Sequence, residues 1–206
     1  MLFRSVHTAE DVEAAVARAR TAGAWWASIG YAERRRRLDM WRGVIARRIQ
    51  QLGHVVAEET GKPESDAVLE VALVLDHLHW SAKNAEKVLG KRKARSSALT
   101  AHLAASVEYK PLGVVGVIGP WNFPVFTPLG SVAYALAAGN AVVFKPSEHT
   151  PGIGVWLADA FREAVGRPVL QVVTGLGETG AALCSLGVDK VAFTGSTNTG
   201  KRVMAA

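Results

Sequence analysis

From Val114 onward the chain carries four short apolar, β-branched runs, "VVGVIG", "AVVFKP", "VLQVVTG" and "KVAFTG", each followed by a helix-like stretch. Their starts lie about 20 to 30 residues apart, the repeat length of a strand–helix–strand unit. Runs so little broken by polar residues suit burial on both faces, which requires a parallel sheet with helices on each side. The expected class is therefore α/β, with a doubly wound sheet of the nucleotide-binding type. Punctuation agrees: Thr150-Pro151 reads as an N-cap followed by a first-turn proline, and Gly166 closes the helix supplied by "GVWLADAFREAV".

Up to about Gly90 the grammar is different. "VEAAVARARTAGAWW", "ERRRRLDMWRGVIARRI" and "SDAVLEVALVLDHLHWSAKNAEKVLG" repeat their apolar residues at helical spacing. In the second, Leu38, Trp41 and Ile45, continued by Leu52 and Val56, mark the buried side and place Arg34 to Arg37 on the wet one. No aromatic or Gly-rich single-strand platform accompanies these arginines, so the net charge of +6 points to a solvated face rather than nucleic acid. In the third, Val68, Val71, Leu75, Leu78 and Ala82 form the expected stripe. His77 and His79 are two apart, face different sides of a helix and cannot chelate one metal; no metal site is expected. "KRKARSSALTAHLAASVEYKPLG" reads as an extended arm leading to the first strand run.

At 206 residues the chain can bury a substantial core, and 49% hydrophobic with 20% charged residues fits a globular protein. No run approaches the ~18 uninterrupted apolar residues of a membrane helix. "MLFRSVHTAEDVEAAVARAR" matches neither a secretory signal nor a transit peptide, so the expected location is cytoplasmic. Cys184 is the one cysteine, which excludes an internal disulfide.

Three turns, two of them Gly-rich, fall where a doubly wound sheet binds its ligands, beyond the carboxyl ends of the strands. "FTGSTNTGKRV" places Gly195, Gly200 and Lys201 as a P-loop would, but puts Arg202 where a magnesium-binding hydroxyl is needed. What remains is Gly195 for close approach, with Ser196 and Thr197 as donors at a helix start, which suits a dinucleotide diphosphate better than ATP. "TGLGETG" contains a G-x-G-x-x-G at Gly175, Gly177 and Gly180, without the acid about 20 residues on; a dinucleotide turn and a merely tight strand-to-helix turn both fit. "VFKPSEHTP" sets Lys145 and Glu148 just past a strand, able to share ribose hydroxyls or to cap the following helix.

"GVVGVIGPWNFP", "VVFKPSEHTP" and "KVAFTGSTNTGKRV", in this order and spacing, resemble the aldehyde dehydrogenase superfamily of NAD(P)-dependent enzymes, and the similarity extends over essentially the whole chain. The resemblance implies a Rossmann-like cofactor sheet that binds NAD, with NADP possible. Asn122 would be the oxyanion-hole donor, and Gly119, Pro120, Trp121 and Asn122 would border the cofactor. Lys145, Ser147 and Glu148 would hold the adenosine ribose, Gly177 and Glu178 the adenine side, and Gly195, Ser196, Thr197 and Gly200 the diphosphate. It divides the chain into an N-terminal helical part of the cofactor domain (1–95), an arm or oligomerisation-type strand (96–112) and a partial βαβ dinucleotide-binding unit (113–206).

In the family reaction a cysteine thiolate attacks the aldehyde to give a thiohemiacetal, which yields hydride to the nicotinamide, and a glutamate activates the hydrolytic water. Both groups lie beyond the "FTGS" turn in the family. Cys184 precedes that turn in an apolar helical stretch, without a neighbouring base or cation, and reads as structural. The expectation is an N-terminal fragment that lacks the catalytic domain, inactive towards aldehydes alone and marginally folded, with an incomplete sheet. A non-catalytic nucleotide-binding or scaffolding remnant is the alternative function. The full-length parent is expected to act on a small-molecule aldehyde, without nucleic acid or membrane, as a homodimer or homotetramer.

Overall fold

The computed structural model describes residues 6–100 and 102–206. Residues 1–5, at the start of the stretch read for targeting signals, and Ala101, inside the expected arm, lie outside the described residues.

Four helices come first: α1 (Ala9–Ser28), α2 (Gly30–Arg47), α3 (Ile49–Thr60) and α4 (Glu64–Leu89). The start of α1 is fixed locally. Thr8 Oγ1 accepts from the Asp11 amide at 3.2 Å, and the Asp11 carboxylate accepts from the Thr8 amide at 2.9 Å. An antiparallel ribbon follows, β1 (Arg92–Ala94) paired with β2 (Ala105–Val107), exposed along its whole length. The extended arm is thus two-stranded, and its pairing begins at Arg92, ahead of the boundary expected at 96.

The remainder alternates: β3 (Val114–Ile118), α5 (Phe126–Ala137), β4 (Ala141–Lys145), α6 (Pro151–Val165), β5 (Leu170–Val172), α7 (Gly177–Ser185), β6 (Lys190–Phe193) and α8 (Thr197–Ala205). All three strand pairings are parallel, and the order β5-β4-β3-β6 reverses direction between β3 and β6. Helices α5 and α6 cover one face, while α1 and α7 cover the other. Every residue of β4 is buried, as its unbroken apolar run predicts. No helix among the described residues is long and apolar enough to cross a membrane.

The N-terminal helices share the sheet's core. Phe161 of α6 meets Trp26 of α1 (centroids 6.1 Å) and Trp41 of α2 (5.1 Å), both edge-on, and all three rings are fully buried. The Trp26 indole also donates to Leu136 O at 2.8 Å, tying α1 to the end of α5.

Three sequence expectations need correction here. Arg34 is not on the wet side of α2: it is 4% exposed and donates to the carbonyls of Trp26, Ala27 and Ala137 at 3.1–3.3 Å. Two helix C-termini, those of α1 and α5, converge on it, so a cation satisfies carbonyls that have no partner within their own helices. The buried stripe of α4 runs through Ala67, Glu70, Val71, Val74, Leu78, Ser81 and Ala82, with Val68 and Leu75 only half-buried. Thr150 is the residue before α6, but its side chain makes no capping bond. The Glu59 carboxylate of α3 takes that role, accepting from Gly152 N at 2.8 Å and Ile153 N at 3.0 Å.

Candidate functional site

Strand register brings two of the three turns, "VFKPSEHTP" and "FTGSTNTGKRV", beside the "GPWNFP" segment that the resemblance singles out. Ile118 is level with Lys145 on one side and with Phe193 on the other. The segments beginning at Gly119, Lys145 and Thr194 therefore leave the sheet side by side, the outer two about 10 Å apart at two strand spacings. They straddle the reversal between β3 and β6, the place where a doubly wound sheet leaves a crevice.

On β4, Lys145 is buried at 4% exposure, and burial pushes its ammonium below the usual lysine range while Glu148 partly opposes that shift. Its Nζ donates to Pro146 O at 3.0 Å, leaving further N–H donors for a ligand at the strand end. The first turn of α7 flanks its stem: a Cβ on Gly180 would sit 3.6 Å from Lys145 Cδ. Ser147 is buried, and its hydroxyl accepts from His149 N at 3.3 Å, shaping the turn that presents the exposed Glu148. His149 meets Trp121 edge-on at 6.4 Å, joining this turn to the neighbouring one.

On β3, Gly119 is buried and donates to Lys145 O at 3.1 Å. Half-buried Pro120 leads to Trp121, Asn122 and Phe123, all exposed. Among the described residues the Asn122 side-chain amide has no hydrogen-bond partner, which disfavours a local turn-satisfying role; its backbone carbonyl accepts from Lys62 Nζ at 3.0 Å.

On β6, the Phe193 ring is the floor of the last turn. A Cβ on Gly195 would lie 2.5 Å from Phe193 Cζ, and one on Gly200 3.4 Å from Cε1. Ser196 caps α8, its Oγ accepting from Thr199 N at 3.2 Å, while Thr197 opens the helix, exposed.

"TGLGETG" resolves into two parts. Gly175 has φ +155°, and a Cβ there would collide with Thr179 Oγ1, so this glycine serves a tight turn. Thr179 in turn donates to His7 O at 3.0 Å, fastening the N-terminal segment to the sheet. Gly177, the first residue of α7, has open space around it, and Glu178 beside it is exposed.

Charge selects among the helix N-termini at this edge. The first amides of α5 bond the Glu70 carboxylate, from Val125 N at 2.8 Å and Phe126 N at 3.0 Å. Those of α6 bond Glu59, and α7 has Glu178 in its first turn. Only α8 among the four has no acid in its first turn and no carboxylate cap among the described residues. An anion at a helix N-terminus gains about 0.3–1 kcal/mol, up to about 2 in partly buried geometry, and a resident carboxylate cancels that gain. Glu59 and Glu70 were not recognised in the sequence. Glu70 left a signal, being an acid at a core position of an apolar stripe, where a charge persists only when paired; Glu59 left none.

A cleft of about 810 Å³ lies elsewhere, between α3, α6 and the segment before α7. It touches Glu148 and His149 but not Asn122, Lys145, Gly195 or Ser196. Glu58, Glu59, Glu148 and Asp159 on its wall make it a poor seat for phosphates.

Cys184 is half-buried on α7, and burial pushes its thiol up, opposite to an activated thiolate.

An α/β chain with a doubly wound sheet and three adjoining turns at its reversal has the architecture of the nucleotide-binding class. The model of the aldehyde dehydrogenase family matches residues 4–206, and the chain belongs to that family. It is 38% identical over 194 residues to N-succinylglutamate 5-semialdehyde dehydrogenase of Escherichia coli, covering 93% of this chain and 39% of that protein. To the chloroplastic betaine aldehyde dehydrogenase of Amaranthus hypochondriacus it is 41% identical over 208 residues, covering 97% and 41%. The NAD+ complex structure of aldehyde dehydrogenase from Bacillus cereus superposes with a TM-score of 0.90 at 33% identity, covering 97% of this chain and 41% of that one. The chain thus spans about two fifths of the length of these relatives.

Proposed function

We propose that this chain forms the cofactor-binding and oxyanion-binding part of an NAD-dependent aldehyde dehydrogenase, whose net reaction converts aldehyde, NAD and water to carboxylic acid, NADH and a proton. The observation that carries the proposal is the α8 N-terminus, without an acid among the described residues and two strand spacings from buried Lys145, with the Asn122 amide, unpartnered among the described residues, in the turn after the intervening strand β3. NAD supplies the two-electron acceptor.

The residues present fit a dinucleotide. The backbone amides of Ser196 and Thr197 receive the diphosphate over Gly195 and Gly200, where no side chain blocks approach. Lys145 and Glu148 hold the adenosine ribose, Ser147 shaping their turn, and Gly177 and Glu178 border the adenine. Gly119, Pro120 and Trp121, which carry Asn122, would border the cofactor. Asn122 Nδ2 donates to the aldehyde oxygen as charge develops there, a contribution of about 3–4 kcal/mol, or 10²–10³ in rate, for a preorganised donor. The exposed ribbon, with Leu103, Val107 and Tyr109 outward, is suited to pair with a second copy in a homodimer or homotetramer.

Titration of the chain with NAD by calorimetry tests the binding half of this reading; saturable binding is expected, and heat indistinguishable from dilution at millimolar NAD would remove it. Aldehyde-dependent NADH formation by the full polypeptide carrying this sequence tests the chemical half and separates an enzyme from a scaffolding remnant. Cys184→Ala in that polypeptide is expected to leave kcat within about twofold, because a half-buried thiol of raised pKa is no nucleophile. Loss of burst-phase and steady-state NADH formation in Cys184→Ala would reverse this assignment.

Glu148 governs the choice between cofactors. Its carboxylate accepts from a ribose 2′-hydroxyl and repels a 2′-phosphate by a few kcal/mol at most, about 4 at 4 Å under an effective dielectric of 20. NAD is the expected preference, and Glu148→Ser should shift the NADP/NAD ratio of kcat/KM upward by about tenfold or more, leaving Lys145 to attract the phosphate. An unchanged ratio would take Glu148 out of the ribose site.

A further inference from the structure

We infer that Lys62 and Glu70 are positioning residues for Asn122, clamping the Pro120–Pro124 turn from the N-terminal helices. The inference rests on Asn122 being the oxyanion donor.

The clamp holds the turn at its middle and just beyond its C-terminal end. Gly61 ends α3 in a left-handed conformation (φ +74°), and Lys62 follows it directly. Lys62 Nζ donates to Glu70 Oε2 at 2.6 Å and to the Asn122 carbonyl at 3.0 Å, and lies 4.7 Å from the Phe123 ring centroid. Glu70 Oε1 holds the amides of Val125 and Phe126 at 2.8 and 3.0 Å, and the Glu70 side chain is only 2% exposed. The peptide after Asn122 is therefore pinned by an ammonium, and the two amides three and four residues on by the carboxylate that pairs with that ammonium. Side-chain direction follows backbone direction, so these bonds orient an amide that has no partner of its own among the described residues. A donor is effective only if it points beforehand to where charge will develop, and displacements of about 1 Å can cost about 100-fold. The lysine and glutamate are eight residues apart in sequence yet both belong to the helical layer, so this layer reaches the proposed chemistry through two side chains.

The test is a double-mutant cycle in the full polypeptide that contains this sequence, with steady-state kinetics and a thermal melt for each variant. Lys62→Met is expected to lower kcat about 10- to 100-fold with KM for NAD within about twofold, because the α8 seat is untouched. Lys62→Arg, which keeps a cationic donor, should recover most of the loss. On the Asn122→Ala background Lys62→Met should cost less than about threefold, since its effect passes through the missing amide. Glu70→Gln should behave as Lys62→Met does; if it does not fold, the Lys62 variants carry the test alone. A large Asn122→Ala loss with Lys62→Met near wild type, or equal Lys62→Met losses on both backgrounds, overturns the clamp and leaves the proposed function standing. Full activity in Asn122→Ala removes the oxyanion reading itself, and the clamp with it.

Discussion

Gly195→Val is expected to weaken NAD binding by about 100-fold or more, equivalent to about 2.7 kcal/mol, while the melting midpoint moves little. The new Cβ would lie 2.5 Å from Phe193 Cζ, so either the ring or the turn must shift. The turn itself is exposed, so the backbone lifts, and the valine methyls occupy the space above the Ser196 and Thr197 amides. Stability suffers little because α8 contributes no buried residue to the core. Calorimetric titration with NAD beside a thermal melt separates the two effects. A dissociation constant within threefold of wild type would show that the diphosphate is not seated over Gly195.

Arg34→Met is expected to destabilise the protein by about 3–5 kcal/mol, whereas Arg35→Met, one residue on, should stay within about 0.5. Methionine matches the arginine stem in bulk but leaves the Trp26, Ala27 and Ala137 carbonyls without their donor in a buried site. Burial holds the Arg34 pKa below its ordinary value, yet an arginine remains charged at any pH at which the protein folds. That cation also opposes the negative ends of two helices. For a chain of this size the loss corresponds to a melting shift on the order of 10 °C. Denaturant midpoints at constant slope measure it. Equal midpoints for the two variants would mean that water replaces the guanidinium at those carbonyls.

What the sequence determined by itself was local. The four apolar runs produced four strands and a parallel sheet, because period, β-branching and turn residues act within a few positions of one another. Leu38, Trp41, Ile45, Leu52 and Val56 are all buried as their spacing required, and Gly166 closes α6 in the left-handed conformation (φ +71°). "FKPSE" and "FTGST" were legible for the same reason, each being a short turn attached to a strand end, whereas "PWNFP" was marked out by its family resemblance. Tertiary structure alone decided which charges sit where. Arg34 and Arg35 are the same residue type in one run, and the packing of the α1 and α5 termini against α2, the latter from about 100 residues later in the chain, makes one of them structural. Glu59 pairs with amides 93 and 94 residues away and Glu70 with amides 55 and 56 residues away, so no local pattern could reveal that they close the starts of α6 and α5. Their physical consequence is selective: two carboxylates brought in by the helical layer, and a third on α7, leave α8 as the N-terminus without an acid, among the described residues, at the sheet's carboxyl edge. A helix start advertises itself in sequence, but whether its amides are free for a ligand depends on which distant side chain the fold delivers to them.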